Sequence, residues 1–193
     1  SFSGGAGGSS FTTTTTGTES RGSAVIAAVV IVAFVLLTIA GFIAERRRRW
    51  RRRQRVRRTI SASAVAAEDD PWFAADVVIA EAADLFCRTQ AAWDAGDREE
   101  LARLVGEDLM VEWNRRLDDF ERKGWRSRVS VDKGPRVEYV GITNREDDSQ
   151  DRVVVRIEAR LRDVVEDRHG NVIKKKGEKS EYVWTQEWWT LGR

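Results

Sequence analysis

Apolar and polar positions divide the 193-residue chain into stretches of different character. Residues 24–44, AVIAAVVIVAFVLLTIAGFIA, carry no charge, and their large apolar side chains surround a helical projection instead of striping it. Those 21 residues match the length of helix needed to cross a hydrocarbon core about 30 Å thick. The pattern predicts one transmembrane helix over 24–44.

From residue 71 the pattern becomes that of a folded domain. In a helical projection over 72–93, Val78, Ile79, Ala82, Leu85, Phe86 and Trp93 fall on one side, with Asp76, Asp84 and Arg88 opposite. Asp97, with Glu100 three residues on, has the spacing of a capping box and opens a second, short helix. Leu109, Trp113, Leu117 and Phe120 form the apolar stripe of a third, which stops near Gly124.

After Gly124 the period changes to two. RVEYVGITN, DRVVVRIEARLRDVVED and EYVWTQEWWTLGR predict three strands, joined by REDDSQ and by a turn around RHGN. In the middle strand Val153, Val155, Ile157, Ala159 and Leu161 point one way, and Arg156, Glu158, Arg160 and Arg162 the other. One face therefore packs on the helices, and the other is wet or meets a partner. Helices followed by an antiparallel sheet give a segregated α+β class.

Charge sharpens this division. The formal net charge is +2, yet residues 45–58 alone hold ten arginines and one glutamate, which leaves 59–193 at −7. Arginines directly after a span hold their side of it in the cytoplasm, so the domain is expected inside and the N-terminus outside a cell (inner) membrane. The arginines Arg46, Arg47, Arg48, Arg49, Arg51, Arg52, Arg53, Arg55, Arg57 and Arg58 are the candidates for binding lipid headgroups or another polyanion such as ribosomal RNA, with Trp50 at the interface. Residues 45–70 read as a neck and linker too polar to join a core. Residues 1–23, rich in Gly, Ser and Thr, read as a disordered tail outside the membrane. The start at Ser1 reads as a processed or truncated form, in which a cleaved signal peptide would have delivered that tail outside.

Catalytic chemistry finds little support. The single cysteine, Cys87, lies in an apolar helical stripe and reads as a small buried hydrophobe. The single histidine, His169, sits in a turn, with no second histidine or cysteine cluster to complete a metal site. Glu138, Glu158 and Glu187 are the strand carboxylates; Glu158 shares its face with three arginines and reads as part of a cross-strand ion-pair ladder. SGGAGG neither follows a strand nor opens a helix, so it is no dinucleotide fingerprint. No cofactor or metal is expected. Trp188 and Trp189 are adjacent in a strand, so without a bulge one of them faces outward. Either both are buried in a complete domain or the outward one marks a partner or dimer surface. The partner-surface candidates are Arg156, Arg160, Arg162, Trp184, Trp188 and Trp189.

AWDAGDREELARLV, EWNRRLDDFERKGW, RVEYVGITNREDD, DRVVVRIEARLRD and EWWTLGR, in this order, resemble the actinobacterial, membrane-anchored branch of the TIM forty-four-like domain family. The resemblance covers residues 71–193. It implies a cone-shaped fold similar to nuclear transport factor two, with about three helices packed on a curved antiparallel sheet, and a domain that lacks the family's last strand. The chaperone-holding segment of the mitochondrial member has no counterpart here. The reading that results is a non-enzymatic adaptor whose domain binds a protein, peptide or lipid partner at the membrane, in protein translocation or membrane-protein biogenesis. Two alternatives stay open: a ribosome or RNA tether through the neck, and a small-molecule binder or isomerase-like enzyme using the cone pocket. Homo-oligomerisation through the sheet face is a further expectation.

Overall fold

A computed structural model describes residues 19–173 and 180–192, with side chains from Val29 onward. It divides into two units, residues 1–51 and 52–193. Residues 1–18 of the Gly/Ser/Thr-rich tail lie outside the described residues.

Helix α1 runs Glu19–Asp69. From Val29 it is long and apolar enough to cross a membrane by length and composition. No proline or glycine interrupts it after Gly41, so the helix continues through the arginines to Asp69. It ends where Pro71 drives Asp70 out of the helical region, to φ −140° and ψ 105°, and the Asp70 carboxylate accepts the Trp72 N–H at 3.0 Å.

In the second unit the last turns of α1 differ from the expectation of a neck kept out of the core. Thr59 and Ser63 are buried, and Ala66 packs against the domain core. Arg52, Val56, Thr59, Ser63 and Ala66 follow the 4-3-4-3 spacing of one helix face. That stripe is small and polar, so hydropathy does not reveal it.

Three helices follow: α2, Ala75–Ala95; α3, Arg98–Leu104; and α4, Glu107–Lys123. Val78, Ala82, Phe86, Thr89 and Ala92 are the buried face of α2. Asp97 caps α3 by accepting the Glu100 N–H at 2.9 Å, as its spacing predicted. Gly124 closes α4 in the left-handed conformation, φ 68°. Two positions depart from expectation. Cys87 is exposed, because it falls beside Phe86 at the margin of the α2 stripe. On α4 it is Met110, not Leu109, that is buried with Leu117.

Strands β1 (Arg126–Thr143), β2 (Arg152–Glu166) and β3 (Tyr182–Gly192) form an antiparallel sheet in the order β1-β2-β3. β1 begins ten residues earlier than the RVEYVGITN stretch indicates. Gly134 and Pro135 look like a break but sit at a bulge, and an edge strand tolerates proline there. Gly134 has φ 94°, and a Cβ on it would come within 3.0 Å of the Glu158 carbonyl oxygen, so glycine is required. Register slips at three points of β1. The first two add to a shift of two residues and so restore the parity, and Val129, Val131, Val137 and Tyr139 share the inner face; the third reverses the parity and turns Ile142 inward. Bulges on one strand bend a sheet.

Val153, Val155, Ile157, Ala159 and Leu161 of β2 are all buried with Phe73, Val78, Ala82 and Phe86, as the alternation predicts. Tyr139 closes this core at 0% exposure, and its hydroxyl has no hydrogen-bond partner among the described residues.

Desolvation pushes the Tyr139 phenol up from 10.0 to about 12. A folded-state pKa above the unfolded one means that the stability it contributes is complete below about pH 10 and is lost as pH rises toward 12. In a Tyr182→Phe variant, where Tyr139 is the only tyrosine left, near-ultraviolet tyrosinate absorbance is expected to titrate near 12; a midpoint near 10 in the folded protein would contradict the burial. Tyr139→Phe is expected to raise the unfolding free energy by about 1 kcal/mol, since it removes an unpaired buried hydroxyl.

Candidate functional site

The sheet presents two chemically different faces. On the outer face, cross-strand register aligns Glu138, Arg156 and Trp188, then Arg136, Glu158 and Gln186, then Lys133, Arg160 and Trp184. Arg156, Arg160 and Arg162 of β2 are each paired with a carboxylate. Arg160 pairs with Asp132 at 2.6 Å, and Arg162 with Glu181 at 3.0 Å. Arg156 donates to Glu138 Oε2 at 3.0 Å, to Gln186 Oε1 at 2.7 Å and to the Glu158 carboxylate. The predicted ion-pair ladder thus exists, but Arg156 is only 1% exposed and is not a solvated rung. Arg52 adds a link from α1 to Glu138 Oε1 at 3.3 Å.

Placement also sorts the tryptophans. β2 and β3 pair without a register slip, so adjacent residues of β3 must face opposite ways. Trp189 turns inward against Phe86, with ring centroids 5.6 Å apart. Trp188 turns outward and is 56% exposed, with Trp184 at 67% and Tyr182 at 44% on the same face. Arg160 lies 4.8 Å from the Tyr182 ring centroid. Of the six partner-surface candidates, Arg160, Arg162, Trp184 and Trp188 lie on an accessible outer face; Arg156 is buried in its ion pairs, and Trp189 belongs to the inner face. Among the described residues β3 pairs on one side only, so its other edge is unmatched.

Nine of the ten candidate arginines on α1 are exposed, and Arg52 is half-buried at Glu138. Arg49 pairs with Glu45 at 2.8 Å one turn back.

The inner face opens into a cleft of about 830 Å³ beside α2 and α4. Trp93 and Trp113, edge to face at 5.2 Å, stand on its helical side, with Phe120 of α4. Leu161, Val183, Thr185 and Glu187 line the sheet side. Sequence reasoning named Glu187 but assigned it no partner; the structure gives it two, Thr185 Oγ1 at 3.0 Å and Trp189 Nε1 at 2.8 Å. Thr89, which also lines the cleft, was missed, because a threonine in an apolar helical stripe carries no signal of its own. Among the described residues no cluster of three or more His, Cys, Asp and Glu could hold a metal ion. His169 lies in the turn after β2, where Asp167 Oδ1 accepts its backbone N–H at 2.7 Å.

The family model described as Tim44-like domain matches residues 60–193. No curated protein matches the chain.

The buried ion pairs make Arg156 the most sensitive outer-face position. Arg156→Ala is expected to lower the unfolding free energy by about 3 kcal/mol, the low end for a broken buried pair because Glu138 and Glu158 keep some contact with water. Chemical denaturation would check this, and adding Glu138→Gln should recover part of the loss. A single-variant cost below about 1 kcal/mol would show Arg156 to be an ordinary surface pair.

Proposed function

The chain belongs to the Tim44-like domain family, and on that premise we propose that it is a membrane-anchored adaptor whose domain grips an extended segment of a partner protein along β3. Family membership goes with a non-enzymatic, membrane-associated binding role in general. The α1 span supports anchoring. The arginines that follow it support a cell-membrane orientation with the domain in the cytoplasm and the N-terminus outside. Substrates of such an adaptor would be proteins in translocation or in membrane insertion.

The observation that carries the partner reading is the row Tyr182, Trp184 and Trp188, exposed on the outer face of a strand with an unmatched edge. An added strand would satisfy that edge by main-chain hydrogen bonds, and the tryptophans would cover its alternate side chains. A second copy of this chain is the competing occupant.

The exposed arginines of α1 favour one further reading, a tether to ribosomal RNA or anionic lipid. On a nucleic acid each neutralised phosphate contributes about 0.7 to 0.9 to the slope of log affinity against log salt, so the steepness reports how many arginines are engaged.

Photo-crosslinking in intact cells from position 188 is expected to give a discrete adduct with a second protein, and from position 189 none. Trp184→Ser with Trp188→Ser should abolish the adduct from position 160 without lowering the melting temperature. Adducts equally strong from 188 and 189 would defeat the edge-strand reading, and a self-adduct alone would assign β3 to a dimer. Replacing the nine exposed arginines with glutamine should flatten salt-dependent binding to ribosomes or anionic vesicles and leave the adduct from 188 in place.

A further inference from the structure

The inner cleft carries an assignment of its own. Phe86 packs on Trp189; Thr89 lies one turn beyond Phe86 on α2, and Glu187 lies two residues before Trp189 on β3. Thr89 and Glu187 both line the cleft, and these spacings bring them to a similar level beside the fully buried Phe86. Trp93 and Trp113 stand farther along.

Two observations at that level point to a ligand. Thr89 is 1% exposed, yet its hydroxyl has no hydrogen-bond partner among the described residues. A threonine inside a helix ordinarily bonds back to a carbonyl of the preceding turn, so an unpaired buried hydroxyl has a cost that a bound group can remove. Glu187, for its part, is held from two sides by Thr185 and Trp189. Both neighbours donate, which fixes the orientation of the carboxylate while each oxygen keeps room for another donor.

The Glu187 carboxylate and the aromatic walls indicate the sign of the ligand. Among the described residues the charged side chains lining the cleft are Asp163, Glu181, Glu187 and Arg116. Glu181 is engaged by Arg162, and the Arg116 guanidinium lies 5.6 Å from the Phe120 ring centroid. Trp93, Trp113 and Phe120 supply flat apolar surface and negative ring faces, which attract cations.

We propose that this cleft binds a small organic cation, an ammonium group carried on a flat apolar body. The ammonium sits between the Glu187 carboxylate and Thr89 Oγ1 and donates to both; the apolar body lies against Trp93, Trp113 and Phe120. The mechanism is binding only, with no bond made or broken.

The test uses the full chain in nanodiscs of zwitterionic phosphatidylcholine, titrated calorimetrically against empty-disc controls. Tryptamine is the probe, and indole-3-propionate, its anionic counterpart, the control. Tryptamine is expected to bind at least about tenfold more tightly than the acid. Glu187→Gln should abolish that preference, and Thr89→Val should weaken tryptamine about fivefold without lowering the melting temperature. Equal affinity for amine and acid would overturn the assignment. So would tryptamine binding that neither variant changes, or no binding at millimolar concentration. Should Glu187→Gln fail to fold, the amine-to-acid ratio and Thr89→Val decide the matter.

Discussion

The strict alternation of β2 is the constraint on which the rest of the domain depends. Its odd-numbered residues from Val153 to Leu161 are apolar and must be taken out of water, while Arg156, Glu158, Arg160 and Arg162 project from the other face. The first set calls for apolar cover on one side, which α2 supplies together with Phe73 before it. The second set, in the middle of a sheet, must be neutralised in place. Glu138, Gln186 and Glu158 do so for Arg156, and Arg52 of α1 extends the same network by its bond to Glu138. A single strand pattern thereby positions the cleft, the outer surface and the attachment of the last turns of α1.

Much of this architecture was legible in the sequence because it follows from period and punctuation. The transmembrane pattern, the Asp97 cap, the stop at Gly124 and the inward set of β2 all depend on residue type at fixed spacing. What stayed hidden depended on tertiary context. Nothing in the β2 pattern distinguishes Arg156 from Arg160, because its burial comes from neighbours on β1, β2 and β3. Thr59, Ser63 and Ala66 form a packing stripe without large apolar residues, so α1 looked like a neck to its end. The early start of β1 was masked by Gly134 and Pro135, residues that mark a turn in most contexts and a bulge in this one. Alternation required one of Trp188 and Trp189 to face outward; only the register says which.

The two faces divide the chemistry between them. Outside, aromatic rings stand beside a strand edge that is unmatched among the described residues, near arginines that are already paired, a surface suited to main-chain pairing and apolar contact more than to charge recognition. Inside, an oriented carboxylate and a hydroxyl without a partner among the described residues line the same cleft as Trp93, Trp113 and Phe120, a setting suited to a small cation. The exposed arginines of α1 form a third and separate element, where charge density and not shape is the operative property. Membership in the Tim44-like domain family agrees with binding as the common theme.

Main-chain pairing along β3 is the claim most open to direct observation. Hydrogen exchange resolved to single amides would be compared between the full chain in native membranes and the purified chain in nanodiscs. Occupation of the edge predicts that alternate amides of β3, those directed away from β2, are slow in membranes and fast after purification, while the amides bonded to β2 are slow in both. Alternate amides that exchange equally fast in both preparations would contradict strand addition at this edge.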